Sequence, residues 1–246
     1  VSVSTHAVPG LRFDRLDALR GIAIIWMAVF HFFFDASYFD LIQQEFKRDP
    51  FWLVQRTAIL SLFLFCAGMG LAIALHQGQH WRRFWWRWGQ VAGSALLVTI
   101  GSLWMFPRSF IYFGVLHGIL VMLVLLRLAA PLGAWLWPLG ALAVALPRLV
   151  QHPIFDTPWT NWVGLITRKP ITEDYVPILP WIGVMAWGLA AGNWVLRHRP
   201  QWLTGPLPTS TAPLAVLGRW SLSFYMLHQP VLIGALMLAM LISHHL

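Results

Sequence analysis

The sequence predicts an all-α fold: a polytopic bundle of about seven transmembrane helices with a cytoplasmic N-terminus. Three observations predict it. Of 246 residues, 58% are hydrophobic and 11% charged, with a mean hydropathy of +0.65. That is more apolar surface than a soluble domain of this length can bury. Apolar runs long enough to span a bilayer recur, and they are continuous rather than alternating, which indicates helices and not barrel strands. The 16 Trp residues suit an interfacial belt at helix ends.

The first span is expected at Gly21–Tyr38, after the charged lead "RFDRLDALR". Its length, its mixed acidic and basic flank and the lack of a small-residue cleavage site set it apart from a signal peptide. Gln55–Leu75 and Phe84–Phe106 follow. The single cysteine, Cys66, lies inside an apolar run, so neither a disulfide framework nor a cysteine metal site within one chain is expected. Cys66, Met69 and the Phe stripes read as packing. Ser109–Leu126 and Leu128–Pro147 are joined so tightly that one of them is expected to tilt or re-enter. The residues from Arg148 to Val176 form a long outer-face loop carrying Asp156, Trp159, Asn161, Trp162, Glu173 and Asp174. A loop of that length is often functional. Pro177–Leu196 opens on "DYVPILPW", where Pro177 suits a helix start. Arg219–Ile242 closes the series. No linker separates two domains, so residues 1–246 are expected to form one transmembrane domain with loop 148–176 inside it.

Orientation follows from the cations. Ten lie on the face that holds the N-terminus: Arg12, Arg15, Arg20, Arg82, Arg83, Arg87, Arg127, Arg197, Arg199 and Arg219. Seven lie opposite: Lys47, Arg48, Arg56, Arg108, Arg148, Arg168 and Lys169. The positive-inside rule then puts the N-terminus in the cytoplasm. The net charge of +8 is read as topology and lipid contact, so the bilayer is the expected partner and nucleic acid is not.

Polar residues within the apolar runs are the candidate site. His31 and Asp35 are one helical turn apart and share a face. His31 lies about 15 Å along the helix from Gly21, close to mid-bilayer. Ionisable groups there are costly and mark function. Asp35 is expected to fix the His31 tautomer and leave the other ring nitrogen free to take a proton. Arg56 either snorkels or meets Asp35. His117, between Gly114 and Gly118, is a packing or ligand-facing residue. His228 precedes Gln229 and Pro230, where it either caps the break that proline makes or faces the site. Asp174 either caps the helix it precedes or touches a substrate. The inner arginines Arg82, Arg83 and Arg87 suit phosphates, which favour the guanidinium fork. No metal site is expected.

"RLDALRGIAIIWMAVFH" resembles the opening of the heparan-alpha-glucosaminide N-acetyltransferase-like family of membrane proteins, and more distantly the acyltransferase 3 family. "LGRWSLSFYMLHQPVL" is similar to their last helix, and "ILPWIGVMAWGLAAG" to the helix after their outer loop. The resemblance implies an acyltransferase of the bacterial cytoplasmic (inner) membrane. It would pass an acetyl or other acyl group from cytoplasmic acyl-CoA to an outer-side glycan or small-molecule acceptor. It also implies His31 as general base, with Asp35 stabilising the imidazolium, and Arg20 at the acyl-CoA site. Arg82, Arg83 and Arg87 would share the CoA phosphates. Arg56, His117, Asp174 and His228 are the residues expected nearest the acceptor. A homo-oligomer is left open. The rival readings are a proton-coupled transporter with a His31–Asp35 relay, a haem-binding membrane protein and a structural subunit without chemistry.

Overall fold

The computed structural model describes residues 13–243; Arg12, counted above among the inner-face cations, lies outside them. The described residues form helices joined by loops, and the one β-type contact among them is an isolated bridge between Phe113 and Tyr175. In chain order the helices are α1 (Asp14–Tyr38), α2 (Pro50–His76), α3 (Trp81–Met105), α4 (Val115–Ala129), α5 (Leu136–Leu149), α6 (Ile178–His198), α7 (Gln201–Thr204), α8 (Ala212–Arg219) and α9 (Ser221–Ser243).

Among the described residues, five stretches are long and apolar enough to cross a membrane: α1, α2, the run Val115–Leu149, α6 and α9. Two departures from the expected spans account for the difference from seven. The fourth and fifth run together as α4, a 3-10 segment at Ala130–Trp135, and α5. With 15 and 14 residues, α4 and α5 are each only about 22 Å long, short of a roughly 30 Å core. The chain bends between them at Gly133, whose φ of 56° a side chain would disfavour. The third expected span is α3, whose first ten residues, "WRRFWWRWGQ", carry three arginines and a glutamine among their tryptophans.

Contacts divide the described chain into two units, Leu64–Leu203 and Phe13–Phe63 with 204–243. Helix α2 contributes its first half to the second unit and its second half to the first.

In the first unit, small residues let α6 meet two neighbours backbone to backbone. Cβ atoms added at Gly68 and Gly188 would strike the carbonyls of Met185 and Phe65, and one at Gly183 would strike that of Gly140. Such seams are how helices pack where burial from water cannot drive them together. The loop 150–177 is tied down by polar contacts. The Asn161 amide donates to the Tyr112 hydroxyl at 2.6 Å, and the Tyr175 hydroxyl donates to the Asn161 carbonyl at 2.6 Å. Burial raises the Tyr175 pKa above its ordinary value. Asp156 closes a turn by accepting from the hydroxyl and amide of Thr167 and the amide of Arg168. The Thr167 hydroxyl bond is the largest of the effects that hold its carboxyl below the usual range.

In the second unit, α1 is the central element. Helix α8 packs on its first turns, where Cβ atoms at Gly21 and Gly218 would strike the backbone of Leu214 and Asp17. Asp14 and Asp17 occupy the first turn of α1, where carboxylates face the helix's positive end. Arg219 donates to Asp14 at 3.0 Å and Arg20 to Asp17 at 2.9 Å. Further along, Met27 and Phe30 join Phe46 and Ile59 in a buried cluster flanked by Trp26, Phe34, Trp52, Phe224 and Tyr225. Phe46 and Trp52 stack at 4.1 Å between centroids. Phe30 of this cluster also meets the His31 ring edge-on, with centroids 5.8 Å apart.

Candidate functional site

The polar cluster of the second unit lies where α1 meets α9. His31 and Asp35 stand one turn apart on α1, as their spacing predicts. Opposite them on α9 are His228 and Gln229. His31 Nδ1 lies 2.8 Å from His228 Nε2, so the two rings meet edge to edge, with centroids 5.0 Å apart and 26° between their planes. His228 Nδ1 in turn lies 2.8 Å from the backbone carbonyl of Tyr225. The Gln229 amide donates to Asp35 Oδ1 at 2.8 Å. Asp35 is 3% exposed and His228 8%. Two acceptor atoms of this buried cluster, Asp35 Oδ2 and Gln229 Oε1, have no hydrogen-bond partner among the described residues. A buried acceptor left unpaired costs about 1–3 kcal/mol.

The expected pairing of Asp35 with His31 is therefore replaced by two separate pairs. Residues one turn apart on a helix share a face, but their side chains bond to whichever partner the opposing helix supplies. Arg56 does not reach Asp35 either: it is exposed on α2, and no ion pair joins the two among the described residues. The neighbouring Gln55 accepts instead from the Trp26 indole at 2.7 Å, which ties α2 to α1. Arg20 pairs with Asp17 within α1.

The remaining candidates belong to the first unit. His117 and Asp174 both serve the start of α4. The Thr99 hydroxyl donates to the Ile111 carbonyl at 2.8 Å, so it accepts from His117 Nε2 at 3.1 Å. That leaves His117 Nδ1 to accept from the Gly114 amide at 3.3 Å, and both ring nitrogens are committed. Asp174 Oδ2 accepts from the Val115 amide at 2.8 Å. It caps α4 rather than α6, the helix it precedes in sequence. Arg82, Arg83 and Arg87 are exposed at the start of α3, where Arg82 and Arg83 line an open cleft with His80, Trp85 and Trp86. Arg127, read from sequence only as an inner-face charge, is buried. It donates to the Gln79 carbonyl at 2.6 Å and lies over Trp81 at 4.3 Å.

Sequence reasoning missed Gln229 and Tyr225 as members of the cluster. Gln229 had a signal, a primary amide beside a histidine in an apolar helix. Tyr225 had none, because it contributes a backbone carbonyl.

The family model of the heparan-alpha-glucosaminide N-acetyltransferase catalytic domain matches residues 12–230. The chain belongs to this family. The match begins just ahead of α1 and ends at Pro230, so it takes in every residue of the His31 cluster and most of the helical chain. No curated protein and no solved structure matches the chain. Membership agrees with the resemblance carried by the first and last helices, and those two helices are the ones that bring His31 and His228 together.

Proposed function

We propose that the protein is a membrane acyltransferase that moves an acetyl group, or another short acyl group, from acyl-CoA to an amine or hydroxyl acceptor. In this reading His31 is the general base. The acceptor's nitrogen or oxygen attacks the thioester carbonyl, its proton passes to a nitrogen of His31, and the CoA thiol leaves as the new amide or ester forms. General-base catalysis of this kind is worth roughly 10²–10⁴-fold. The observation that carries the reading is the His31 cluster itself. An imidazole, a carboxylate and a primary amide are gathered in an apolar helix pair, with two buried acceptor atoms unpaired among the described residues. Membership of an N-acetyltransferase family supports the reaction class.

Each unit carries cations suited to the phosphates of the donor, Arg20 in the second and Arg82, Arg83 and Arg87 in the first. The guanidinium fork matches phosphate oxygens in both charge and geometry. Asp35, one turn along α1 from the base, would favour positive charge developing on the imidazole. With the donor in the cytoplasm, as the arginine bias implies, the acceptor is taken from the other side.

The test is transfer of labelled acetyl from acetyl-CoA by purified protein in lipid nanodiscs. Glucosamine serves as the amine acceptor and simple sugars as hydroxyl acceptors. The expected result is turnover that His31→Ala reduces by at least 10²-fold while the melting curve stays in place. No binding or turnover of any short-chain acyl-CoA would overturn the proposal.

A further inference from the structure

We propose that His228 is a positioning residue that sets the tautomer of His31, with the Tyr225 carbonyl as its anchor. This rests on the reading of His31 as general base and assigns the orienting role that the sequence pointed to Asp35.

A backbone carbonyl accepts hydrogen bonds and cannot donate them. The 2.8 Å contact between His228 Nδ1 and the Tyr225 oxygen therefore fixes a hydrogen on Nδ1. A neutral imidazole carries one ring hydrogen, so His228 Nε2 presents a lone pair. The atom facing it at 2.8 Å, His31 Nδ1, must then carry a hydrogen. The neutral His31 ring has none left for Nε2, whose lone pair is free to receive a proton. Two hydrogen bonds in series thus read out, from a main-chain oxygen, which nitrogen of His31 is the base. In serine hydrolases a carboxylate sets the tautomer of the base; here a second imidazole, itself anchored to backbone, does so.

The arrangement also holds charge. When His31 Nε2 gains a proton, its Nδ1 hydrogen still points at the His228 lone pair. Passing that hydrogen across makes His228 the cation, still donating to Tyr225, and leaves His31 neutral. One positive charge is then shared by two hydrogen-bonded rings. Phe224 lies parallel to His228 at 6.1 Å and 7°, and Phe30 meets His31 edge-on at 5.8 Å, so each imidazole packs against an aromatic ring. Asp35, bonded to Gln229, is the titratable neighbour on α1.

Two measurements test this. The first is the nitrogen NMR spectrum of the full-length protein in nanodiscs, labelled with ¹⁵N-histidine and assigned through His31→Gln and His228→Gln variants. Wild type is expected to show His31 protonated on Nδ1 and bare on Nε2. The second is kinetics of His228→Leu and His228→Gln. Leucine offers no acceptor and is expected to lower kcat at least tenfold with KM within twofold of wild type. The glutamine oxygen can accept from His31 Nδ1 and is expected to recover most of that loss. A His31 hydrogen on Nε2, or equal activity of the leucine and wild-type proteins, overturns the proposal. Equal loss in both variants at unchanged melting temperature also overturns it. If the spectrum shows the expected tautomer while no acyl-CoA is turned over by wild type, the acyltransferase reading fails and the tautomer assignment stands.

Discussion

Gly188 on α6 is where the packing of the first unit can be tested most directly. A methyl group at this position would strike the Phe65 carbonyl oxygen of α2 and lie 2.9 Å from both the carbonyl carbon and the Cα of Phe65. Ordinary contact at a Cβ begins near 3.4 Å, and the opposing atoms are backbone, which cannot rotate aside. Gly188→Ala must therefore push the two helices apart by at least the 0.5 Å that is missing at the carbon atoms. A gap of 0.5–1 Å gives up roughly a quarter to a half of each dispersion contact. Gly68 and Gly192 lie in the same seam, against Leu189 and Met69, so the loss spreads beyond one residue. Forced overpacking of this kind costs about 1–3 kcal/mol. The comparison is Gly93→Ala on α3, where nothing among the described residues lies within 4 Å and alanine is expected to be neutral or stabilising by up to about 1 kcal/mol. Both variants would be followed by denaturant unfolding in the same detergent micelles. A Gly188→Ala protein as stable as Gly93→Ala would refute the close helix contact.

Two further outcomes are expected. Asp174→Ala leaves the Val115 amide at the start of α4 unpaired and should lower stability by about 0.5–2 kcal/mol, while Asp174→Asn, which keeps an acceptor, should lose less; equal unfolding midpoints for all three proteins would show that the cap contributes nothing. The Asp156 carboxyl is held below its ordinary range chiefly by the Thr167 hydroxyl, so its contribution to the loop is present above the unfolded carboxylate pKa of about 3.9 and is lost as the pH falls through the lower folded value. Protection factors for the Thr167 and Arg168 amides should accordingly drop in acid, and Asp156→Asn should remove that pH dependence; flat protection in wild type would contradict the assignment.

What the sequence alone determined is what depends on short range and on solvent. Continuous apolar runs demand helices in a bilayer, so α1, α2, α6 and α9 are legible from composition and length. The one-turn spacing of His31 and Asp35 is likewise a property of the helix, and the matching ends of the chain carry its family. Where Arg82, Arg83 and Arg87 entered an apolar run, or where Gly133 turned the chain, the span count read from hydropathy lost its footing. Partner choice was not legible at all. His31 could have met Asp35 along its own helix, but the docking of α9 on α1 put His228 and Gln229 within 2.8 Å of each instead. His117 and Asp174, read as possible substrate contacts, became the cap of α4 because a loop brought Asp174 back to Val115. A hydrogen bond is decided within a few tenths of an ångström, by side chains nearly two hundred positions apart in the chain. Hydropathy and periodicity fix which face of a helix is polar; only the tertiary structure decides what that face meets.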